Sequence, residues 1–333
     1  MVKYLIIIIT TNCNLNCIYC YIGDQERLVI AKDIIDKGLS LISNKTAPLH
    51  IQITGGEPTL YPDLIEYTCK NIKKHLPMAT IGIQTNATLL DSSIVKIFKK
   101  YNLQVGVSLD GPGEVHNILR GKFTDTIKGI ELLKRNRIKC RITTTLTSLN
   151  VTSLKKLAVL IDLLENIEGI GLDMVVKKGR AIDKDYLFPD KLEIYSGIMD
   201  FMRIINLIKA TKDFHFREQD MLSGYRKNKK HVFCHAQQGE SIAIFPDGSL
   251  YPCAQTAGDK RFLLGHISNY KIEKYEFNNF TNKDKSCSSC NISSFCPGDC
   301  PSRNFYNGSK NKKLVCSLYF AILKAQGVHY ETS

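Results

Sequence analysis

The 333-residue chain lacks a long hydrophobic run. No stretch approaches the roughly 20 apolar residues that a membrane-spanning helix requires, so a membrane is not among the expected partners. A secretory signal is missing as well: "MVKYLIIII" carries one Lys ahead of a short apolar run, and "TTNC" follows without a small-residue cleavage site. Both absences point to the cytoplasm. Disulfides are disfavoured there, and closely spaced cysteines are more often metal ligands or catalytic groups. A third absence is more specific. The stretch "CNLNCIYC", residues 13–20, holds three cysteines, and no further one follows before Cys69. Structural zinc is normally closed by four ligands, so this set fits zinc poorly.

What is present is an ordinary soluble composition, 44% hydrophobic, in a chain long enough for one large domain or two smaller ones. Its net charge of +13 is spread widely, with denser clusters at "YRKNKK" and "SKNKK". Such a surface suits nucleic acid, an acidic peptide or an acidic electron carrier, or it is simply a solvated Lys-rich exterior. A nucleic-acid-binding protein with structural clusters is the alternative from another class, and only "YRKNKKHVF" hints at its basic and aromatic signature.

Short β-branched runs recur as "KYLIIIIT", "LHIQIT", "ATIGIQT", "LQVGVSL", "RITTTLT" and "GIGLDMVV", with helical patterns between them. This alternation predicts a parallel α/β sheet, doubly wound or a partial barrel. Ligands of such sheets collect beyond the carboxyl ends of the strands. The cysteine loop, "GGEP", "TNAT" and "SLDG" follow the first four strands in turn and are expected to face one site. After about residue 180 the character changes. A helical stretch, "KLEIYSGIMDFMRIINLIKA", leads to a segment holding seven of the twelve cysteines, and "SIAIFPDGSLYPC" reads as a hairpin with its turn at Pro246, Asp247 and Gly248. Few apolar residues follow, so metal is expected to hold this part together. Cys69 and Cys140 read as buried core thiols.

Cys13, Cys17 and Cys20, spaced Cys-x3-Cys-x2-Cys, can satisfy three irons of a 4Fe-4S cluster and leave the fourth open. Together with "GGEP", this loop resembles the radical S-adenosylmethionine (radical SAM) superfamily. The resemblance implies a partial (β/α)6 TIM-like barrel and S-adenosylmethionine on the open iron, cleaved to a 5′-deoxyadenosyl radical that abstracts hydrogen from substrate. It further implies that Gly55, Gly56 and Glu57 receive the methionine amino group, that Ser108 contacts the nucleoside or methionine part, and that Arg120 clamps the carboxylate. Asn86 lines the site or caps its turn. Tyr19 packs beside the cluster or the adenine.

Downstream, Cys234, Gly248 and Cys253 read C-x13-G-x4-C, and Cys287, Cys290, Cys296 and Cys300 read C-x2-C-x5-C-x3-C, with Cys316 beyond. This array is similar to the SPASM domain, a small cysteine-rich unit binding two auxiliary 4Fe-4S clusters, for three clusters in all. By that resemblance Cys287, Cys290, Cys296 and Cys316 hold the outer cluster, and Cys234, Cys253 and Cys300 the inner one. The inner fourth position is left open, or filled by water, by a side chain such as His231 or His235, or by substrate. The expected division is residues 1–210 for the barrel and 211–333 for the SPASM domain.

Anaerobic sulfatase-maturing enzymes resemble this architecture but place an Asp after the hairpin cysteine, where "YPCAQ" has Ala254. The resemblance therefore implies a radical enzyme modifying a peptide or protein side chain, with thioether formation as the leading product. A haem- or other cofactor-maturing enzyme is the alternative. Many peptide maturases also carry an N-terminal winged-helix-like module, and "MVKYLIIII" leads straight into the first strand; the expectation is a separate peptide-presenting protein or a different substrate. Flavodoxin or ferredoxin is the expected electron donor.

Overall fold

The computed structural model describes residues 1–42, 48–228, 232–269, 275, 287–308 and 314–328. The apolar run near the start forms β1 (Tyr4–Thr10), whose six residues after Tyr4 are all buried. A strand covered on both faces needs such a continuous run, because no side of it meets water. From it the sheet continues in chain order through β2 (His50–Gly55), β3 (Thr80–Thr85), β4 (Gln104–Ser108), β5 (Cys140–Leu146) and β6 (Ile167–Met174), each parallel to its predecessor.

The crossovers are helical: α1 (Lys32–Ser40), α2 (Pro62–His75), α3 (Ser92–Lys100), α4 (Gly113–Leu119), α5 (Phe123–Arg135) and α6 (Leu154–Leu163). Local chemistry starts them where the apolar period starts. The Asp91 carboxylate accepts from the Ser93 and Ile94 amides, both at 2.9 Å, and caps α3. A capping box of Asp190 and Glu193 opens the long α7 (Lys191–Thr211). Cys69 on α2 and Cys140, the first residue of β5, are both buried in the core.

The sheet does not stop where the barrel was expected to end, near residue 210. β7 (His215–Phe216) adds to β6, and α8 (Arg217–Asn228) follows it. The chain then returns to the opposite edge. β8 (Ser241–Ile244) pairs with β1 in parallel, and β9 (Ser249–Tyr251) and β10 (Gly265–His266) continue antiparallel from it. The hairpin predicted at Pro246–Gly248 is therefore the join between β8 and β9. The resulting order is β10-β9-β8-β1-β2-β3-β4-β5-β6-β7.

A second apolar cluster fastens this returning segment to the barrel: Ile6 and Ile8 of β1 pack with Ala243, Phe245, Tyr251, Ala257 and Phe262. On the other side, Asn307 at the end of α9 (Pro301–Asn307) clasps the stretch after β6. It accepts from the Lys177 amide at 2.7 Å and donates to the Val175 carbonyl at 2.9 Å. The last described helix, α10 (Leu314–Ala325), lies along α7. Among the described residues no helix is long and apolar enough to cross a membrane.

Close approach sets the turn after β3. α5 presses on it through Gly129, where a Cβ would stand 2.1 Å from the Ala87 carbonyl oxygen, and Thr126 donates to the Asn86 carbonyl at 3.1 Å. Gly129→Ala is expected to destabilise the chain by about 1–3 kcal/mol through overpacking. Gly224→Ala on α8, where an added methyl meets nothing within 4 Å, is expected to stabilise it by roughly 0.5–1 kcal/mol. Urea midpoints shifted in opposite directions at equal slope check both.

Candidate functional site

The carboxyl ends of the central strands open into a cavity of about 1660 Å³. The loop after β1 contributes Cys13, Cys17, Tyr19 and Cys20 to its wall; the end of β2 contributes Gly55, Gly56 and Glu57. Asn86 follows β3, Ser108 ends β4, and Arg120 follows α4, all on the same wall. Four successive loops thus meet in one space, as the strand-loop order implied.

The first two loops are bound to each other through the main chain. The Gly56 amide donates to the Thr10 carbonyl at 2.7 Å and the Glu57 amide to the Asn12 carbonyl at 2.8 Å. Gly is required for this approach: a Cβ on Gly56 would stand 2.2 Å from the Asn12 carbonyl oxygen. Glu57 then ties β2 to β3. One carboxylate oxygen accepts from the Thr59 amide at 3.1 Å and from the Thr59 and Thr85 hydroxyls at 2.6 Å each; the other accepts from the Asn86 amide at 2.7 Å. Burial raises the pKa of this carboxyl and the four donors oppose the rise. The side chain expected to face a methionine amino group is already engaged by four protein donors.

Asn86 lines the cavity, and its side-chain oxygen caps the turn by accepting from the Thr88 amide at 2.9 Å. Its side-chain amide also donates to Asn14 at 2.9 Å, which pins the cysteine loop. Ser108 receives a hydrogen bond from Gln84 at 3.0 Å.

Asp110, fully buried, is the residue that sequence reasoning missed. Its carboxylate accepts from the Tyr19 hydroxyl, from Arg120 Nε at 2.6 Å and from the Thr145 amide at 2.8 Å. Arg120 is thereby aimed, with its guanidinium 5.3 Å from the centre of the Tyr19 ring and Nη1 3.9 Å from Cys17 Sγ. His116 accepts from the Asp110 amide at 3.3 Å. Burial lowers the His116 pKa to about 4, so the imidazole stays neutral beside the Arg120 charge. The stretch "SLDGPGEVHNILR" contains both residues, but nothing in one sequence marks an Asp as a buried hub.

The cysteines fit iron-sulfur ligation by donor chemistry. All are free thiols. Cys13 is exposed, Cys17 buried and Cys20 half-buried, and the Leu15 amide donates to the Cys13 sulfur at 3.4 Å. Further along, burial first and then Cys296, Cys287 and Cys290 push Cys316 up to about 12. Cys234 is likewise raised to about 12 by burial, with Cys300 and Cys253 beside it. Ten of the twelve thiols thus have cysteine neighbours in sets of three, four and three, while Cys69 and Cys140 stand apart in the core. Among the described residues no three such groups close on a single point as ligands of one metal ion do; a cluster of several irons takes separate thiolates on separate irons. His235 Nδ1 lies 3.3 Å from Glu240 and its ring is stacked on Tyr4. His231 lies outside the described residues.

Removing Arg120 leaves the Asp110 carboxylate buried without its ion pair. Arg120→Met is expected to destabilise the chain by about 3–5 kcal/mol, and Arg120→Lys to recover only part of the loss, since an ammonium lacks the guanidinium fork. Denaturant titration of the metal-free chain under reducing conditions measures both.

Residues 7–164 match the sequence pattern of the Radical SAM superfamily. The antilisterial bacteriocin subtilosin biosynthesis protein AlbA of Bacillus subtilis is 25% identical over 349 residues, covering 93% of this chain and 69% of that protein. The cysteine-type anaerobic sulfatase-maturating enzyme of Clostridium novyi is 25% identical over 353 residues, covering 93% of this chain and 91% of that enzyme. The fold of native anSMEcpe with bound AdoMet superposes with a TM-score of 0.83 at 21% identity, covering 98% of this chain and 97% of the other. The chain therefore carries a radical SAM domain over residues 7–164 and is similar along most of its length to the two relatives named above, and it shares the fold of the solved enzyme.

Proposed function

We propose that the chain cleaves S-adenosylmethionine reductively and uses the radical to modify a peptide or protein side chain, with carbon–sulfur bond formation as the product class. One observation carries this reading: Cys13, Cys17 and Cys20 share a cavity wall with Ala254 and Gln255, which directly follow the hairpin cysteine Cys253.

When bound on Cys13, Cys17 and Cys20, a 4Fe-4S cluster supplies the electron that breaks a sulfur–carbon bond of S-adenosylmethionine. The protein's own contribution is positioning. Arg120, held through Nε by Asp110 and with Nη1 near Cys17 Sγ, offers its Nη2 end to a carboxylate, the planar anion its fork matches. Ser108 supplies a hydroxyl at the level of the nucleoside or methionine, and Gln84 holds it. The carbonyls of Gly55 and Gly56 serve the ammonium group, and the buried Tyr19 braces Asp110 beside Arg120.

Cys287, Cys290, Cys296 and Cys316 are proposed to hold an outer auxiliary cluster, and Cys234, Cys253 and Cys300 an inner one with a position open to a substrate thiolate. Ala254 lines the cavity with no acid–base capacity, which favours crosslinking over formylglycine chemistry. The peptide substrate is supported by the bacteriocin and sulfatase-maturation roles in the relatives' names. The net charge of +13 suits an acidic flavodoxin or ferredoxin as donor and a separate protein that presents the peptide.

The test is iron and sulfide analysis of anaerobically reconstituted protein, together with reductant-dependent 5′-deoxyadenosine formation. About twelve irons per chain are expected for three four-iron clusters, and Cys17→Ala is expected to lose about four of them and all cleavage. Full iron loading without cleavage in the parent protein overturns the reading.

A further inference from the structure

The inner cysteine set carries a polar shell. Ser302 on α9, 1% exposed, places its hydroxyl 3.1 Å from Cys300 Sγ. The same hydroxyl lies 2.6 Å from the side-chain oxygen of Gln255, and that oxygen lies 3.7 Å from Cys300 Sγ. The loop bearing Gln255 is fixed by Lys178, whose ammonium donates to the Gln255 carbonyl at 2.7 Å and to the Ala257 carbonyl at 2.9 Å. Gln255 also belongs to the cavity wall.

As a thiol, Cys300 is able to donate to the Gln255 oxygen. As a metal ligand it has lost its proton, and its sulfur only accepts. The Ser302 hydroxyl is then the donor in range. Turning that hydrogen toward sulfur leaves the Ser302 oxygen in need of a donor, and Gln255 meets it by turning its amide so that N–H₂ replaces C=O. The fully buried hydroxyl has no bulk water to rotate toward instead. Hydrogen bonds to ligand sulfurs stabilise the more negative, reduced state of a cluster and so raise its reduction potential.

We propose that Ser302, oriented by Gln255, is a positioning residue that donates to the Cys300 thiolate and holds the inner cluster at a raised reduction potential. This rests on the assignment of Cys234, Cys253 and Cys300 to an inner cluster. It also makes Gln255 the link between cavity and cluster, because one side chain belongs to both.

The experiment uses the full chain with Cys13, Cys17 and Cys20 replaced by Ala, reconstituted anaerobically and followed by redox titration with electron paramagnetic resonance. The parent is expected to hold about eight irons and show two transitions. Ser302→Ala is expected to move one transition to more negative potential at unchanged iron content, and Ser302→Thr, which keeps the hydroxyl, to restore it. Gln255→Leu is expected to give a smaller shift of the same sign, and it carries the test if Ser302→Ala fails to load. Unchanged potentials in loaded variants, or a shift to more positive values, overturn the proposal. A parent holding fewer than about eight irons overturns the cluster assignment instead.

Discussion

The carboxylate of Asp110 joins segments of the chain that are far apart in sequence. The cysteine loop reaches it through Tyr19, the end of α4 through Arg120, and β5 through the Thr145 amide. Its own carbonyl accepts from Asn150 at 2.9 Å, which adds the stretch after β5. An ionised carboxylate at zero exposure is tolerable only when its lone pairs are met by charged or well-aimed donors. Each of these segments is therefore held to one geometry, and the guanidinium that serves the cavity is fixed within the same arrangement.

Glu57 acts in a comparable way between the second and third strands. Two of its four donors, from Thr85 and Asn86, bind the tip of β2 to the tip of β3, and the other two, from Thr59, fix its own loop. Asn86 then carries the constraint back to the cysteine loop through Asn14. The loops that must present thiols and carbonyls are thus cross-braced by buried polar groups, while the apolar core lies below them. This arrangement keeps a large cavity open without leaving its walls to loop mobility.

Much of this was legible in the sequence. The six β-branched runs appear as β1 to β6, because an apolar run of strand length flanked by amphipathic helices has few other ways to be buried. The close spacing of Cys13, Cys17 and Cys20 marked one loop as a site, whereas the grouping of the later cysteines came only from the resemblance. What stayed hidden depends on contacts between remote residues. β7 is only two residues long and carries no periodic signal. The role of Asp110 depends on Tyr19 and Thr145, and that of Ser302 on Gln255, none of them neighbours in sequence. Glu57 was assigned by resemblance to a ligand, whereas its environment is set by Thr59, Thr85 and Asn86. The expected boundary at residue 210 follows the change in composition, but the sheet is built from both sides of it.

The pairing of β8 with β1 also bears on how the chain is made. β1 leaves the ribosome well before β8, and one of its edges receives its partner only after Ser241–Ile244 has been synthesised. Until then a run of isoleucines presents unpaired backbone groups along one side, the kind of edge at which strands of different chains join. Parallel pairing across so much sequence is also slow. Protection of the nascent barrel therefore falls to the interval before the cysteine-rich segment arrives, and that segment also completes the sheet.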